Sequence, residues 1–483
     1  MPEIEAARVI SPELARQIRA IGLRWDSSTL IVGVDEQLDA EQIARVKKEL
    51  QEAISHKFRL DKVPSGLIEE AIEINYDTID GANFSNNTKF FKQISEGPIA
   101  ELINNVLERA VRLRSSDIHI EPTEDELVIR VRVDGKLEEM TRLPSQTAGS
   151  FVSRLKVMSR LDIVERRRPQ DGQFSASLPN GDIDVRVATV ATLYGEKVVL
   201  RLLDTRKQSA GLSQLGMSTQ NLKKFSNLIF SQHGMVITAG PTGSGKTTTL
   251  HSAVKELNTP SRNVSTLEDP VEYVVGGVNH IAVNDSIGTG FAIQLRAILR
   301  QDPDVVMVGE TRDSETARIA VQAALSGRLV LTSLHATDVV GAIYRLFQMD
   351  IEPYLVAASL RGVIAQRLVR RVCNFCAVDS EVTAEEKLLV RSLHAVGRKL
   401  HFRQGEGCTI CRGTGYRDRV GVYQILEISD EMRELISTRP MPTKVYELAR
   451  KEGLKTLTEE ACDLAISGST TLREVIEVVG IDG

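Results

Sequence analysis

The first 80 residues show hydrophobic positions with two different spacings. "STLIVGV" (28–34) is a short apolar run rich in β-branched residues, which predicts a strand. "AEQIARVKKELQEAIS" (40–55) has apolar residues every three or four positions, which predicts an amphipathic helix. We therefore expect a small α/β or helical unit at residues 1–80. The polar, Gly- and Asn-rich stretch that follows predicts a linker at 81–97.

Residues 98–208 combine helical and strand patterns and predict an α+β domain. Two strands are joined by Asp134-Gly135, a hairpin signal, and two more by a turn at Tyr194-Gly195. A second linker is expected at 209–216. The predicted elements are a helix at 99–114, strands at 115–122 and 127–137, a helix at 150–168 and two strands within 184–203.

The remainder of the chain divides into three parts. From 217 to 372, apolar strands alternate with helical patterns, which is typical of a parallel sheet built from βαβ units. Residues 373–420 carry paired cysteines, and residues 421–483 show helical patterns. The predicted class is therefore α/β, with smaller domains before and after the parallel sheet.

A phosphate-binding loop is predicted between an apolar strand and a helix start in "HGMVITAGPTGSGKTTTL" (233–250). Its core fits G-x-x-x-x-G-K-[ST], so backbone N–H groups would cradle phosphates, Lys246 would reach the β- and γ-phosphates, and the Thr247 hydroxyl would bind Mg²⁺. A chance match in a Gly-rich turn is the alternative. The predicted nucleotide-binding residues are Gly240, Pro241, Thr242, Gly243, Ser244, Gly245, Lys246, Thr247 and Thr248.

Acidic residues follow two other apolar strands. "DPDVVMVGE" ends in Glu310, which can hold or align Mg²⁺ and water, unless it is a surface residue closing a core strand. "TLEDPVEY" places Glu268 beside Asp269, a pair suited to water activation and metal binding, unless it forms an ordinary Asp-Pro turn. His335, after the strand in "LVLTSLHATD", would face the ligand crevice and sense the γ-phosphate, or serve only in structure.

Two arginines, Arg186 and Arg201, interrupt the apolar strands of "DVRVATVATLYGEKVVLRLL". The period of two places Arg201 on the same face as Val199 and Leu203. A cation on an apolar face is costly unless it meets an anion, so an anionic partner is expected.

Four of the five cysteines form two C-x-x-C pairs separated by 31 residues. Four thiolates suit a structural, tetrahedral Zn²⁺ site, and a redox pair is the rival interpretation. The long separation predicts a subdomain of its own between the pairs. The fifth, Cys462, is expected to be buried in a helix. The predicted zinc ligands are Cys373, Cys376, Cys408 and Cys411.

The composition narrows the choice of function. The 483 residues carry a net charge of −5, with 60 basic and 65 acidic side chains, and only 4% are aromatic. Nucleic-acid binding is disfavoured because it usually requires a basic face and stacking platforms. No stretch approaches the ~20 apolar residues of a membrane helix, and the N-terminus lacks a signal pattern, so we expect a cytoplasmic chain.

Taken in order, these motifs make residues 98–483 resemble the type II secretion and type IV pilus assembly ATPases, the GspE/PilB family. The resemblance rests on "SDIHIEP", "RRPQDGQF", "GPTGSGKTTTL", "TLEDPVEY", "TSLHATD", both cysteine pairs and "CRGTGYRDRVGVYQIL". It implies a RecA-like P-loop ATPase domain, a preceding PAS-like α+β domain and a hexameric ring at the cytoplasmic base of an inner-membrane machine. The implied cofactors are ATP, Mg²⁺ and Zn²⁺.

The resemblance also implies roles for single residues. Glu268 lies in the family's aspartate box, Glu310 is its Walker B glutamate and His335 lies in its histidine box. Arg186 and Arg201 match arginines that reach from the second N-terminal domain toward the nucleotide. The alternative for these arginines is a pair of structural salt bridges to Asp182, Asp184 or Glu196.

The expected function is an ATPase that drives pseudopilus assembly for type II secretion, and the alternative is type IV pilus extension. The four cysteines argue against the pilus-retraction branch. Residues 1–80 lack a clear cyclic di-GMP motif, so we expect a docking module for an inner-membrane partner protein, through which alone the chain meets the membrane. A nucleic-acid motor and a nucleotide-binding scaffold with little turnover are the competing classes.

Overall fold

A computed structural model gives the fold of this chain. It describes residues 4–76, 97–179, 181–203, 211–284, 288–381, 383, 386 and 401–480. Most of the predicted linker 81–97 and part of the linker 209–216 lie outside these ranges. The chain forms two bodies. The first contains residues 1–204, 372–378 and 404–418, and the second contains residues 205–371, 379–403 and 419–483.

The first body begins with an N-terminal module, residues 4–76. Its three strands lie in the order β1-β2-β3, with β2 antiparallel to β1 and parallel to β3. The parallel connection runs through a helix that Asp39 and Gln42 cap reciprocally. The elements are α1 (Ile4–Arg8), α2 (Pro12–Ile18), β1 (Ala20–Asp26), β2 (Thr29–Asp35), α3 (Ala40–Ala53), β3 (Lys57–Val63) and α4 (Ser65–Tyr76).

The four paired cysteines belong to the same body as this module. Together with Ile410 they share one hydrophobic core with the apolar residues of the module, among them Ile21 and Leu23. The chain between the two pairs begins with β16 (Ala377–Asp379) and ends with β17 (Arg403–Gly405), which pair with each other. The subdomain predicted between the pairs falls largely on residues outside the described ranges.

The second part of this body is the sheet domain, residues 97–203. Its six strands lie in the order β6-β5-β4-β9-β8-β7, and buried residues alternate with partly buried ones along β5. The core lies between the sheet and two helices, where Phe151 is fully buried. The elements are α5 (Gly97–Arg112), β4 (Asp117–Pro122), β5 (Glu126–Val133), β6 (Lys136–Pro144), α6 (Ala148–Met158), β7 (Gln170–Leu178), β8 (Gly181–Thr192) and β9 (Gly195–Leu203).

The predicted helix at 150–168 is too long, because α6 ends at Met158. Arg160 has φ of 58°, a left-handed conformation that cannot continue a helix. The Lys156 ammonium then donates to the Glu165 carbonyl at 2.7 Å and pairs with the Glu196 carboxylate. A contact to a distant strand therefore overrides the helical pattern of residues 159–168.

The second body is built on one sheet of seven strands, in the order β12-β11-β13-β14-β10-β15-β18. The central strands are parallel, as the alternating pattern predicts. Strand β10 is buried along its whole length, as expected for a strand covered by helices on both faces. The strands are β10 (Gly234–Ala239), β11 (Val264–Glu268), β12 (Asn279–Ala282), β13 (Val305–Val308), β14 (Leu329–Leu334), β15 (Leu360–Val372) and β18 (Tyr416–Glu427).

Helices connect these strands and continue to the end of the described chain. Cys462 is fully buried within the helix Leu457–Ile466, as predicted. Of the helices in the described part of the chain, none combines the length and apolar character that a bilayer crossing requires. The helices are α7 (Thr219–Ile229), α8 (Lys246–Leu257), α9 (Phe291–Ile298), α10 (Ser314–Leu325), α11 (Val339–Gln348), α12 (Pro353–Ser359), α13 (Asp430–Ser437), α14 (Pro442–Lys451), α15 (Leu457–Ile466) and α16 (Leu472–Val478).

Candidate functional site

The predicted phosphate loop joins the carboxyl end of β10 to the start of α8 at Lys246. Gly243 and Gly245 have φ of 76° and 90°, which other residues rarely adopt. A Cβ atom on Gly240 would lie 2.4 Å from the Ser244 hydroxyl and 2.7 Å from the Gln366 carbonyl. The glycines are therefore required for the loop to turn back over the helix N-terminus, where backbone N–H groups form an anion site.

The Lys246 ammonium lies inside the curve of this loop. It donates to the carbonyls of Gly240 and Pro241, each at 2.9 Å. Burial lowers the pKa of Lys246, an effect that the Glu310 carboxylate opposes and Arg367 reinforces. A cation held by two neutral carbonyls in a partly desolvated loop is poised to bind phosphate oxygens, which would stabilise its charge more strongly.

Glu310 and His335 converge at the same edge of the sheet. Glu310 follows β13 and His335 follows β14, two neighbouring parallel strands. The Nε2 atom of His335 lies 3.7 Å from the Glu310 carboxylate, whose other oxygen accepts from Arg312 at 2.5 Å. Burial and the nearby Lys246 lower the pKa of His335, against the effect of Glu310. His335 therefore favours the neutral form, although half of its side chain is exposed.

Glu268 ends β11 and is only 3% exposed. One carboxylate oxygen lies 2.7 Å from Nε2 of His251, and the other lies 3.2 Å from Nδ1 of His280. Burial would raise the pKa of Glu268, but interactions with His251, Thr266 and His280 hold it below its ordinary value. The carboxylate is thus kept ionised in a buried position.

Thr247 and Glu310 are the residues that fit a Mg²⁺ ion. Thr247 is half-buried in the first turn of α8, and the Glu310 side chain is 17% exposed. Mg²⁺ in nucleotide sites usually binds one or two protein groups, phosphate oxygens and water, so a full protein cage is not required. The hard oxygen donors of these two side chains suit the ion.

Arg186 and Arg201 lie directly opposite each other on β8 and β9 of the sheet domain. Val198 and Leu200 are the buried residues of β9, whereas the Arg201 side chain is 58% exposed. Arg201 therefore lies on a partly exposed face, where a cation costs less than on a fully buried one. Arg201 and Val199 share a face, as predicted, but it is the open face of the sheet.

The carboxylate beside Arg201 is Asp117, which was not among the predicted salt-bridge partners. Its oxygen accepts from Arg201 Nε at 3.1 Å, and Asp117 itself is only 8% exposed. Of the predicted partners, Asp184 accepts from the Ser175 hydroxyl and Glu196 pairs with Lys156. Residues of this face line a cavity of about 560 Å³. They include Asp117, Asp171, Gln173, Arg186 and Arg201.

The four cysteines form a second cluster, and all four are buried. The sulfur atoms of Cys373 and Cys408 are 3.8 Å apart, as are those of Cys376 and Cys411. A tetrahedron with Zn–S bonds of about 2.3 Å has edges of about 3.8 Å, so the spacing fits zinc. The Cys408 and Gly415 N–H groups donate to the Cys411 sulfur at 3.1 and 3.3 Å, which favours a thiolate.

Three residues at the nucleotide site have no motif that predicts them. The Gln366 amide donates to the Ser244 carbonyl at 2.7 Å and so ties the phosphate loop to β15. His251 and His280 hold Glu268 from two other elements. The register of parallel strands offers a signal for His280, since it pairs with Thr266, two residues before Glu268 on the same face.

A protein-family comparison matches most of the chain. The profile described as "Type II/IV secretion system protein" covers residues 92–477. "Type II secretion system protein E" of Aeromonas hydrophila is 45% identical over 391 residues, which cover 80% of this chain and 77% of the relative. "Type IV pilus assembly ATPase PilB" of Myxococcus xanthus strain DK1622 is 39% identical over 444 residues, which cover 90% of this chain and 77% of the relative.

Solved structures show the same fold. The ATPase DotB of Legionella pneumophila superposes with a TM-score of 0.57 at 23% identity, over 77% of this chain and 94% of that one. The pilus retraction motor PilT with bound ADP gives a TM-score of 0.52 at 24% identity, over 78% of this chain and 96% of that one. The predicted RecA-like fold class is confirmed.

The predicted family is confirmed as well: this chain belongs to the type II/IV secretion system protein family and is an ATPase of that family.

Proposed function

We propose that this chain hydrolyses ATP in a homohexameric ring and uses the energy to assemble a pseudopilus for type II protein secretion. The observation that carries the proposal is the convergence of Lys246, Glu310 and His335 at one edge of the parallel sheet. A triphosphate on the loop would meet a cation and a metal-binding carboxylate at that edge.

Within this site we assign the carboxylates different roles. Glu268 orients the attacking water and accepts its proton, because it is ionised, buried and fixed by hydrogen bonds. Glu310 and Thr247 would hold Mg²⁺, which would neutralise negative charge on the nucleotide phosphates. As water adds to the γ-phosphorus, the bond to the bridging oxygen breaks and ADP leaves. Lys246 stabilises the negative charge, and His335 donates to a γ-phosphate oxygen.

Arg186 and Arg201 of the sheet domain are proposed to take part in the reaction. Arg201 is half-exposed on an open sheet face, and Asp117 engages its Nε atom. A guanidinium anchored at Nε retains its two terminal nitrogens for bidentate contact with phosphate. Arg186 lies directly opposite. Both would stabilise charge on the transferring phosphoryl group as arginine fingers do.

The four cysteines are proposed to bind structural zinc. Four thiolates leave no open coordination position, so the metal would have no role in hydrolysis. Sulfur spacings that match a zinc tetrahedron and backbone N–H donors to Cys411 support the assignment.

The N-terminal module is proposed to dock on an inner-membrane protein of the secretion machine, which would bring the cytoplasmic ring to the membrane.

Type IV pilus extension is the second candidate. The match to the pilus ATPase of Myxococcus xanthus extends over 90% of this chain, against 80% for the Aeromonas secretion protein. Higher identity favours the secretion branch, at 45% against 39%. Capture of the full chain by the cytoplasmic domain of a type II inner-membrane protein, but not by its pilus counterpart, would decide for secretion. The reverse result would decide for pilus extension.

ATP turnover of wild-type protein and the Glu268→Gln variant tests the catalytic part. Gln keeps the shape of the side chain but cannot accept a proton, so kcat should fall at least about 100-fold while nucleotide still binds. His401→Gln is a matched control, since His401 is 55% exposed. Full turnover by Glu268→Gln would show that another group activates the water.

A further inference from the structure

Glu268 is held between two histidines that come from different elements. His251 lies on α8, five residues after Lys246, and His280 lies on β12. Their rings are almost parallel, with an angle of 13° and centroids 6.2 Å apart. Each ring lies within hydrogen-bond distance of a different oxygen of the Glu268 carboxylate.

His251 is fully buried and carries its proton on the atom that faces Glu268. A carboxylate only accepts hydrogen bonds, so Nε2, at 2.7 Å, must be the donor. Nδ1 is buried and has no hydrogen-bond partner within the described chain. A proton there would be an unsatisfied buried donor, which favours the neutral ring with its proton on Nε2. The Tyr273 ring packs edge-on against His251 at 5.2 Å and limits its rotation.

His280 is fixed in the opposite tautomer by the backbone. Its Nε2 accepts from the Val275 N–H at 3.0 Å, so this nitrogen carries no proton. The ring is therefore neutral with its proton on Nδ1. That atom lies 2.7 Å from the Thr266 hydroxyl and 3.2 Å from the Glu268 carboxylate.

Neutral donors have a particular consequence for a catalytic base. Any donor to the ionised carboxylate lowers its pKa, as these histidines do, but a neutral imidazole adds no positive charge that would cancel the negative charge of the base, as a lysine or arginine would. Two donors on two oxygens also fix the plane of the carboxylate. We propose that His251 and His280 are positioning residues that hold Glu268 in the orientation required for water activation.

This inference rests on the proposed role of Glu268, and paired substitutions test it. His251→Leu and His280→Leu remove the donors. His251→Gln keeps an N–H at the position of Nε2, and His280→Asn keeps one at the position of Nδ1. The control is His401→Gln. The measurements are kcat, KM for ATP and the affinity for a fluorescent ADP analogue in the full-length protein.

We expect each Leu variant to lose about tenfold in kcat, the typical cost of one hydrogen bond to a charged group. KM and ADP affinity should stay within about twofold of wild type, because the side chains of His251 and His280 are 0% and 9% exposed and face Glu268. The Gln and Asn variants should recover most of the lost kcat. Unchanged kcat in both Leu variants, or equal losses in the conservative and Leu variants, would overturn the inference.

A double-mutant cycle separates positioning from a folding defect. In the Glu268→Gln background, His251→Leu should change kcat by less than about twofold, because there is no charged base left to position. An equal loss in both backgrounds would overturn the inference and indicate damage to the fold. Full turnover by Glu268→Gln would contradict the proposed role of Glu268 itself. Results from the histidine variants alone would contradict only the inference about positioning.

Discussion

The nucleotide site and the cysteine cluster are both built from short motifs, but their surroundings differ. The phosphate loop, Glu310 and His335 each follow a strand of one parallel sheet, so the fold brings them together at its edge. The cysteine pairs instead pack against a module far earlier in the chain, at residues 4–76. Thr409 donates from its N–H to the Leu23 carbonyl at 3.0 Å and from its hydroxyl to Gly22 at 2.7 Å.

This difference shows what each motif does. At the sheet edge, the side chains of Glu310 and His335 remain 17% and 50% exposed. In the cysteine cluster the side chains face inward, and Ile410 beside them is 4% exposed within the core of the N-terminal module. The first arrangement is suited to chemistry, and the second to stability of the N-terminal module.

Lys246→Ala should have the largest effect and should be confined to the nucleotide site. Loss of the only ammonium in the loop removes a direct phosphate contact, so turnover should fall to background. The melting behaviour of the N-terminal module should not change. An ATPase assay with thermal unfolding measures both, and residual turnover above about a tenth of wild type would contradict the assigned role.

If the four cysteines bind zinc as proposed, removal of the metal should have the opposite pattern. Structural zinc contributes folding energy directly, on the order of several kcal/mol, so a chelator should destabilise the N-terminal module. Hydrogen exchange at Gly22, Leu23 and Ile31 should increase, while ADP affinity should be retained. Cys373→Ser offers the same test without a chelator. Unchanged hydrogen exchange in metal-free protein would show that the cysteine cluster does not stabilise the N-terminal module.

Asp117→Asn should have an intermediate effect on catalysis. Asn keeps the size of the side chain but loses the charge that anchors Arg201 Nε, so kcat should fall several-fold with little change in nucleotide affinity. Asp182→Asn is the control, because Asp182 is exposed on the same sheet. Equal kcat values for both variants would show that the anchor is dispensable.

Thr409→Val should have the smallest effect. The methyl group keeps the shape but removes the hydroxyl bonds to Gly22 and Leu23, at a cost of about 1–2 kcal/mol in unfolding free energy. Thr409→Ser should retain this stability. Denaturant unfolding, followed by the fluorescence of Trp25 in β1, reports on the N-terminal module. Identical unfolding curves for Thr409→Val and Thr409→Ser would show that the hydroxyl contacts do not contribute to stability.

The sequence predicts structure best where function depends on local spacing. The phosphate loop, the Walker B strand, the strand before His335 and the Asp134-Gly135 hairpin all lie where the pattern predicts them. The prediction is wrong where contacts between residues distant in sequence determine the local structure. Residues 159–168 keep a helical pattern, yet the contacts of Lys156 with Glu165 and Glu196 draw the chain out of the helix.

The histidines around Glu268 illustrate a second limit. Neither lies at a motif spacing from Glu268, being 17 residues before it and 12 after it. Only the strand pairing between β11 and β12 and the direction of α8 bring them together. For Arg201, the period of two correctly predicts which residues of the strand share its face, but it does not show which face of the sheet packs against the core.

ATP turnover against protein concentration, for wild type and Arg201→Ala, is the decisive measurement for the proposed ring ATPase. The specific activity of wild type should rise with concentration as the ring forms. Arg201→Ala should lose most of its turnover while nucleotide binding is retained, as removal of an arginine finger requires. Full turnover by Arg201→Ala would show that this arginine is structural and that hydrolysis does not depend on it.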